Sequence, residues 1–544
     1  MASKARLLLG EGRSALDQGD WAAARSRFAE ALKEEPSPDA LHGLARASEW
    51  AGDYETAIGL YERAFAGFRA RGESRIPALI AGRELSFLYA AVYGNSAAAN
   101  GWMARAARLI PEAGDCVERG WVELAECLIT DEADARDSHA RAAAEIARRL
   151  GDADLEFCAM SYQGLSLVLA GRIADGMLCI DEAAAAASGG EVHDYTAVGE
   201  IYCKMLLCCE LTLDVRRAQQ WMAVAEFFGH RANSPWIPAI CGMHYGGVLT
   251  EAGRWAEAER QLSESMLKYD GGYRAMRSGA AARLADLRIR QGRLGDAAEL
   301  LRGAETDAHS VRPLARLHLA RGEAETAASI LRRHVDASSG SLLIASELAL
   351  LADAEEAAGR AEQAMAIGRR LQAVAANTGL PQNRALAEFT VGRAGCATGD
   401  PGALAHLEAA LGAFAAAGLP WDEARTRLAI ARVLADSNME VAKAESRTAL
   451  MAFRQLGAAP DADAAAGLLR TLGSPGRAAP RIGGPLTARE VEVLRLIGEG
   501  DSNNQIAGRL VISKRTVEHH IGSILAKLGL STRAQAQAYA VRRG

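Results

Sequence analysis

The chain has 544 residues, 49% of them hydrophobic and 5% aromatic, and a formal net charge of −6. That length accommodates three or four globular units, or one long repeat array with an appendage. Abundant alanine with few aromatic residues suits closely packed helix pairs and argues against sandwiches and barrels, which draw on β-branched and aromatic side chains. The fold class expected is therefore all-α. No run of about 18 apolar residues occurs, so no membrane span is expected. The Leu7-Leu8-Leu9 stretch, flanked by charges, is too short for a signal-peptide core. The nine cysteines have no framework spacing and read as free buried thiols of a cytoplasmic protein.

Near the N-terminus Gly19-Asp20-Trp21 recurs 33 residues later as Gly52-Asp53-Tyr54. Ala24, Phe28 and Ala31 are matched by Ala57, Tyr61 and Ala64, and Gly12 precedes the first turn. Small residues let two helices approach, a turn glycine gives backbone freedom, and the larger residue fills the gap to the next unit. This pattern resembles the tetratricopeptide repeat, a helix-turn-helix of about 34 residues. Degenerate copies follow at Gly253-Arg254-Trp255, Gly292-Arg293-Leu294, Gly322 and Gly359, with weaker turns at Gly94, Gly171 and Gly399. The expectation is a tetratricopeptide-like α-solenoid of roughly 11 to 13 helix pairs over residues 1–470, acting as a sensor or partner-binding domain.

Residues 202–245 hold the densest aromatic and sulfur content, including Tyr202, Cys203, Trp221, Phe227, Phe228, Trp236, Cys241 and His244. Two readings stand: an effector pocket, or a thiol or metal sensor using Cys241 and His244, against plain helix packing with soft gap-fillers. The stretch TLGSPGRAAPRIGGP at 471–485 cannot continue a helix, so a linker is placed at 471–484 and a separate domain at 485–544.

In that last segment ten Lys/Arg oppose five Asp/Glu from Arg481 onward, a local excess of about +5 on an otherwise acidic chain. A basic module on an acidic body suits phosphate binding. Capping and periodicity predict four helices. Thr487 with Glu490 forms a capping box ahead of Val491, Leu494 and Ile497. Gly498 and Gly500 end that helix. Ser502 with Gln505 opens a second carrying Ile506, Ala507 and Leu510. Ser513 caps a third with Val517, Ile521, Ile524, Leu525 and Leu528 in helical register, ended by Gly529. Ser531 or Thr532 starts a last helix through Ala534, Ala538 and Val541. A short helix, a three-residue connection and a longer helix with a basic start form the arrangement that places its second member in a DNA major groove.

Leu486-Thr487-x-Arg489-Glu490, Gly500, Ser502-Asn503-x-x-Ile506-Ala507, Leu510-x-x-Ser513-x-x-Thr516-Val517-x-x-His520 and Lys527-Leu528 together resemble the LuxR-type helix-turn-helix domain. The resemblance implies double-stranded DNA as partner and the third helix as its reader. By position, Glu518, His519 and Gly522 are implied at base edges, and Lys514, Arg515, Thr516, Ser523 and Lys527 at backbone phosphates. Glu518 departs from the lysine often found there; a carboxylate can accept from cytosine N4 but cannot bond the guanine acceptors, and Glu518 reads equally as a solvent-facing helix residue. Arg509 and Arg533 read equally as phosphate clamps or surface charges, and His520 as a residue packed within the domain. The resemblance further implies a homodimer, RNA polymerase as a partner, and activation rather than repression.

Large LuxR-type regulators often carry an ATPase ahead of helical repeats. Here no G-x-x-x-x-G-K-[ST] occurs, and none of the seven lysines follows a glycine. ATP hydrolysis is not expected, nor another enzymatic activity, a cofactor or a metal, and repeat-like sequence from the start leaves no place for a receiver domain. Two functions remain: a transcriptional regulator whose repeats sense a ligand or protein and control dimerisation or DNA access, and a protein-interaction scaffold with an accessory DNA-binding tail.

Overall fold

The computed structural model describes residues 4–130, 133–234, 236–305, 307–338, 344–473, 488–510, 512, 514–528, 530 and 532–543. Among these residues there are helices and turns and no strand. From Lys4–Asp17 to Ala459–Thr471 the helices form twelve helix-turn-helix pairs and a closing single helix, counting Arg75–Leu79, Ile80–Leu85 and Ser86–Tyr93 as one helix interrupted by a π turn. The tetratricopeptide-like solenoid is thus present, within the expected number of pairs. The first and second members of a pair are called A and B below.

The Gly-Asp-aromatic signature has a direct local cause. Gly19 and Gly52 adopt φ of 73° and 80°, a left-handed conformation that costs a residue with Cβ. The aspartate then caps helix B: Asp20 accepts from the Ala23 N–H at 2.9 Å and Asp53 from the Thr56 N–H at 3.4 Å. The aromatic residue opens helix B and is buried. Phe28 shows why small residues surround it, since a Cβ on Gly12 or Gly43 would lie 2.8 or 2.3 Å from its ring. In the degenerate turns arginine replaces the cap, and Arg254 and Arg293 pair instead with Glu257 and Asp296 three residues on. The turn of the sixth pair (Tyr195–Thr212 and Val215–Arg231) has no glycine: Leu213 takes φ 53° itself, which left no mark in the sequence.

Successive turns of the superhelix touch, with an offset of five pairs. The first-pair turn at Gly19 meets Tyr195, which opens the sixth pair; a Cβ at Gly19 would lie 3.0 Å from its hydroxyl. Trp50 of the second pair packs on Trp236, the start of the seventh, with centroids 5.6 Å apart. Gly94 of the third lies against Ala275, beside the eighth (Arg277–Arg290 and Leu294–Leu300). Gln382, at the start of the eleventh pair, donates to the Thr212 carbonyl of the sixth at 2.9 Å. The turns at Gly253 and Gly292 fit against Pro420 and Pro460, with hypothetical Cβ contacts of 2.5 and 2.9 Å. Trp21 adds a hydrogen bond from Nε1 to the Ala232 carbonyl at 2.7 Å.

The A helices of the second half point charged side chains toward the superhelix interior. Asp286 is 1% exposed and receives Arg316 at 2.8 Å and Arg290 at 3.0 Å. Arg290 also holds Glu251 at 2.6 Å. Burial by itself would raise the Asp286 carboxyl, but the guanidinium charges of Arg316, Arg290 and Arg312 hold it well below the usual carboxylate range.

The stretch 202–245 divides between the two sequence readings. Cys203 and Cys241 lie side by side with sulfurs 3.7 Å apart, both buried. His244 shares a 2.7 Å hydrogen bond with Glu210, which Arg283 grips through both carboxylate oxygens at 2.6 and 2.7 Å. Most of the stretch is therefore packing and ion pairing. Tyr202 and Phe228, however, border a cavity of about 690 Å3 shared with Trp21, Trp50 and Tyr195. No cluster that could hold a metal occurs among the described residues, and no described helix is long and apolar enough to cross a membrane.

Two outcomes follow from this packing. Gly164 and Gly176 bring two backbones together, a Cβ on Gly176 falling 2.6 Å from the Gly164 carbonyl oxygen. Gly176→Ala should destabilise by about 1–3 kcal/mol through overpacking. Gly59→Ala, in open space on a helix, should be neutral or stabilising by up to about 1 kcal/mol; thermal unfolding of the two variants checks this.

The second concerns pH. Burial lowers the His244 pKa, and Glu210, which burial alone would raise, is held below the carboxylate range by Arg283 and His244. Both folded-state values lie below the unfolded ones. The histidine contribution is therefore complete above about pH 6.5 and falls as the pH drops below it, and the glutamate contribution is lost further below about pH 4.3. The unfolding midpoint should fall on acidification, and less so in His244→Gln.

Candidate nucleic-acid interface

The C-terminal four helices run Ala488–Gly498, Asn503–Leu510, Lys514–Leu528 and Arg533–Arg543, each where capping and periodicity predict one. They share one core: Val493, Leu494, Leu496, Ile497, Ile506, Val517, Ile521, Ile524 and Ala536. The expected stripe of the third helix faces inward, with Leu525 and Leu528 partly buried at its edge. The last helix packs through Ala536, Tyr539 and Ala540, while Ala534 and Ala538 are exposed. Its alanines are too evenly spread for periodicity to select a face.

Local signals hold these helices in place. Gly500 turns the chain at φ 90°. The Ser502–Gln505 capping box is reciprocal: the Ser502 N–H donates to Gln505 Oε1 at 2.8 Å and the Gln505 N–H to Ser502 Oγ at 3.4 Å. Thr532 accepts from the Gln535 N–H at 3.3 Å, settling the start of the last helix. Thr487, Val511, Ser513, Gly529 and Ser531, and most of the 471–484 linker, lie outside the described residues; the helix before that linker ends at Thr471.

Both arginines left open by the sequence are engaged within the domain. Arg509 pairs with Glu499 at 2.8 Å and Asp501 at 2.7 Å. Arg533 reaches Asn503 Oδ1 at 2.8 Å and also donates to the Asp501 carbonyl, tying the last helix to the start of the second. His520 is half-buried.

Lys514, Thr516, Glu518 and Gly522 of the third helix are exposed, while Val517, Ile521 and Ile524 are buried. The side chains of Arg515, His519 and Lys527 lie outside the described ones. Gly522 is notable because nothing lies within 4 Å of where its Cβ would be. A mid-helix glycine costs about 1 kcal/mol relative to alanine, and packing inside the domain does not require it. Its absent side chain leaves the helix backbone open to close approach from outside; Gly508 on the preceding helix is open in the same way.

Ser523 is placed differently. It is half-buried and donates its hydroxyl proton to Glu490 Oε1 at 2.6 Å. A hydroxyl carries one proton, so this bond and a donation to phosphate are alternatives. Glu490 is itself 4% exposed. Its sequence signal, a capping position, gave no hint that it also braces the third helix.

Two family models match the two ends of the chain. Residues 484–540 match the bacterial regulatory proteins of the luxR family, and residues 15–72 match the tetratricopeptide repeat. A putative HTH-type transcriptional regulator of Mycobacterium bovis is 51% identical over 61 residues, 11% of this chain and 7% of that protein. The transcriptional regulatory protein LnrK of Bacillus subtilis is 46% identical over 59 residues, 11% of this chain and 27% of its own. The HTH-type transcriptional regulator MalT of Serratia proteamaculans is 48% identical over 52 residues, 10% of this chain and 6% of its own. The chain thus matches only a small part of each relative's length. It carries a LuxR-type helix-turn-helix domain at its C-terminal end, behind an N-terminal tetratricopeptide repeat region.

Proposed function

We propose that this protein is a cytoplasmic, sequence-specific DNA-binding regulator of transcription. The helix Lys514–Leu528 reads the major groove, and the helical repeats sense a ligand or protein partner that controls dimerisation or DNA access. The observation that carries the reading is the exposure of Lys514, Thr516 and Glu518, with an open Gly522, on a helix that Val517, Ile521 and Ile524 lock into the domain core. Its N-terminal end supplies the positive end of the helix dipole, beside Lys514 and Arg515.

In this reading Lys514, Arg515, Thr516 and Lys527 anchor phosphates, and Glu518, His519 and Gly522 face base edges. Ser523 braces the helix through Glu490 and turns to phosphate only if that bond opens. Two such domains in a homodimer would engage two half-sites, which multiplies a weak single-domain affinity. The protein acts as an activator, with RNA polymerase as the further partner. The absence of a P-loop lysine supports a regulator that does not hydrolyse ATP.

Selection of genomic fragments by the full-length protein tests the central claim. An enriched inverted repeat, bound with a steep salt dependence, supports it; no enrichment favours the scaffold function. Lys514→Ala with Arg515→Ala should weaken binding to all sequences alike and make the plot of log affinity against log salt shallower by about 2 for each half-site engaged, with the unfolding midpoint unchanged. Glu518→Ala should instead relax selectivity at one base pair by about 1–3 kcal/mol. Ser523→Ala should lower domain stability by about 1–3 kcal/mol, since it leaves the buried Glu490 carboxylate short of a donor, with little change in the salt slope.

A further inference from the structure

Inside the second half of the superhelix lies a cavity of about 380 Å3. It is lined mainly by A helices of the sixth to twelfth pairs, from Tyr195–Thr212 to Pro420–Val433. Because superhelical turns touch at an offset of five pairs, these helices make just over one closed turn around it. The volume lies in the range of small-molecule sites.

Its lining carries five arginines and five carboxylates. Most of them satisfy one another. Arg283 holds Glu210 through both oxygens, and Arg290 holds Glu251 at 2.6 Å. Arg425 holds Asp353 at 2.8 Å and Asp422 at 3.3 Å. Arg316 turns to Asp286, behind the lining, at 2.8 Å.

One residue of each sign remains. Arg312 comes no nearer than 3.9 Å to Glu251 and Asp286, beyond hydrogen-bond reach. Its side chain is 30% exposed, although it lies among the A helices. Glu347 also borders the cavity, and its Oε2 is buried with no hydrogen-bond partner. Its charge acts on Arg312, yet the two form no ion pair. A carboxylate oxygen left buried without a donor is costly, and so is a guanidinium without an acceptor. Each would be satisfied by a molecule bearing the opposite charge at each end.

We propose that this cavity is the sensing site and that it takes a small zwitterion, an α-amino acid or a dipeptide. Its carboxylate sits on Arg312 and its ammonium on Glu347. A planar guanidinium matches a carboxylate in bidentate fashion, and a compact ammonium suits a lone carboxylate. The balanced pairing of the remaining lining charges selects against ligands of large net charge. Occupancy joins the ninth-pair A helix Val311–Ala320 to the tenth-pair A helix Ala345–Ala357 inside the closed turn, which gives the ligand a differential grip on the closed superhelix. The inference rests on the reading of the repeats as a sensor.

The test is calorimetric titration of the full-length protein with the common α-amino acids and glycylglycine. Each is set beside its N-acetyl form, which lacks the cation, and its amide, which lacks the anion. The expected result is that at least one zwitterion binds with a Kd of about 1 mM or tighter, and that both blocked forms bind tenfold or more weakly. Glu347→Gln should weaken the zwitterion and remove its advantage over the N-acetyl form. Arg312→Met should weaken it and remove its advantage over the amide. Arg312 adds to the charge that holds the Asp286 carboxylate, so Arg312→Met should lower the melting temperature, but the charge-specific pattern of ligand preference is one that a structural role would not produce.

No binding by any zwitterion, equal binding of the blocked forms, or undiminished binding by both variants overturns the site. DNA affinity is measured in parallel with and without the bound zwitterion. A zwitterion that binds and leaves DNA affinity unaltered upholds the site and overturns the control of DNA binding by the repeats; DNA binding without any zwitterion site leaves the DNA reading standing alone.

Discussion

The superhelix is closed by contact between its own successive turns. A helix pair cannot bury its apolar face alone, and stacking pairs buries a continuous core between neighbours. That rule leaves the pitch free. Here the turn of a pair rests against the start of a pair five further on, through Gly19 and Tyr195, Trp50 and Trp236, Thr212 and Gln382, Gly253 and Pro420, and Gly292 and Pro460. The contacts are tight enough that Gly253 and Gly292 have no room for a side chain. A nearest-neighbour array thereby acquires long-range contacts, and the space inside each turn becomes a chamber.

Closure explains the charged interior. A helices that line a closed turn face one another across a short distance, and filling the space with large apolar side chains would collapse it. Arginines and carboxylates from different pairs meet there instead, stacked around Trp421, whose ring lies 4.4 Å from Arg290 and 4.7 Å from Arg425. Such pairs are a weak source of net stability, because desolvation offsets much of the Coulomb gain. They are directional, however, and removing one partner leaves a buried charge exposed to its own desolvation cost. The chamber therefore keeps its shape by satisfied polar geometry and remains open to a polar occupant.

The C-terminal domain solves a different problem. A small four-helix unit must present one helix rigidly while leaving its outer side free. Val517, Ile521 and Ile524 anchor the inner side, and the buried Glu490 carboxylate draws Ser523 inward. Arg509 and Arg533 serve the same end by bonding Glu499, Asp501 and Asn503, so these two cations are committed to the scaffold.

Much of this protein was legible in the residues themselves. The Gly-Asp-aromatic turns, the capping box at Ser502 and Gln505, and the stripe from Val517 to Leu528 are local patterns. Local patterns report backbone conformation, because capping, left-handed glycine and helical periodicity act within a few residues of chain. The all-α class, the repeat array and the helix-turn-helix domain follow from them. Leu213 in a glycine position, the packed face of the last helix and the brace from Glu490 to Ser523 left no such trace. The five-pair offset and the pairing of Arg290 with Glu251 and Asp286 were equally silent. Each joins residues far apart in the chain or depends on which of several equivalent faces finds a partner. By itself the sequence determined which helices form and which of them belong to the helix-turn-helix domain. Only the tertiary structure decided how tightly the solenoid winds, and so which charges meet in its interior and which two, Arg312 and Glu347, are left over; the pitch of a superhelix is set by contacts between turns that no local pattern encodes.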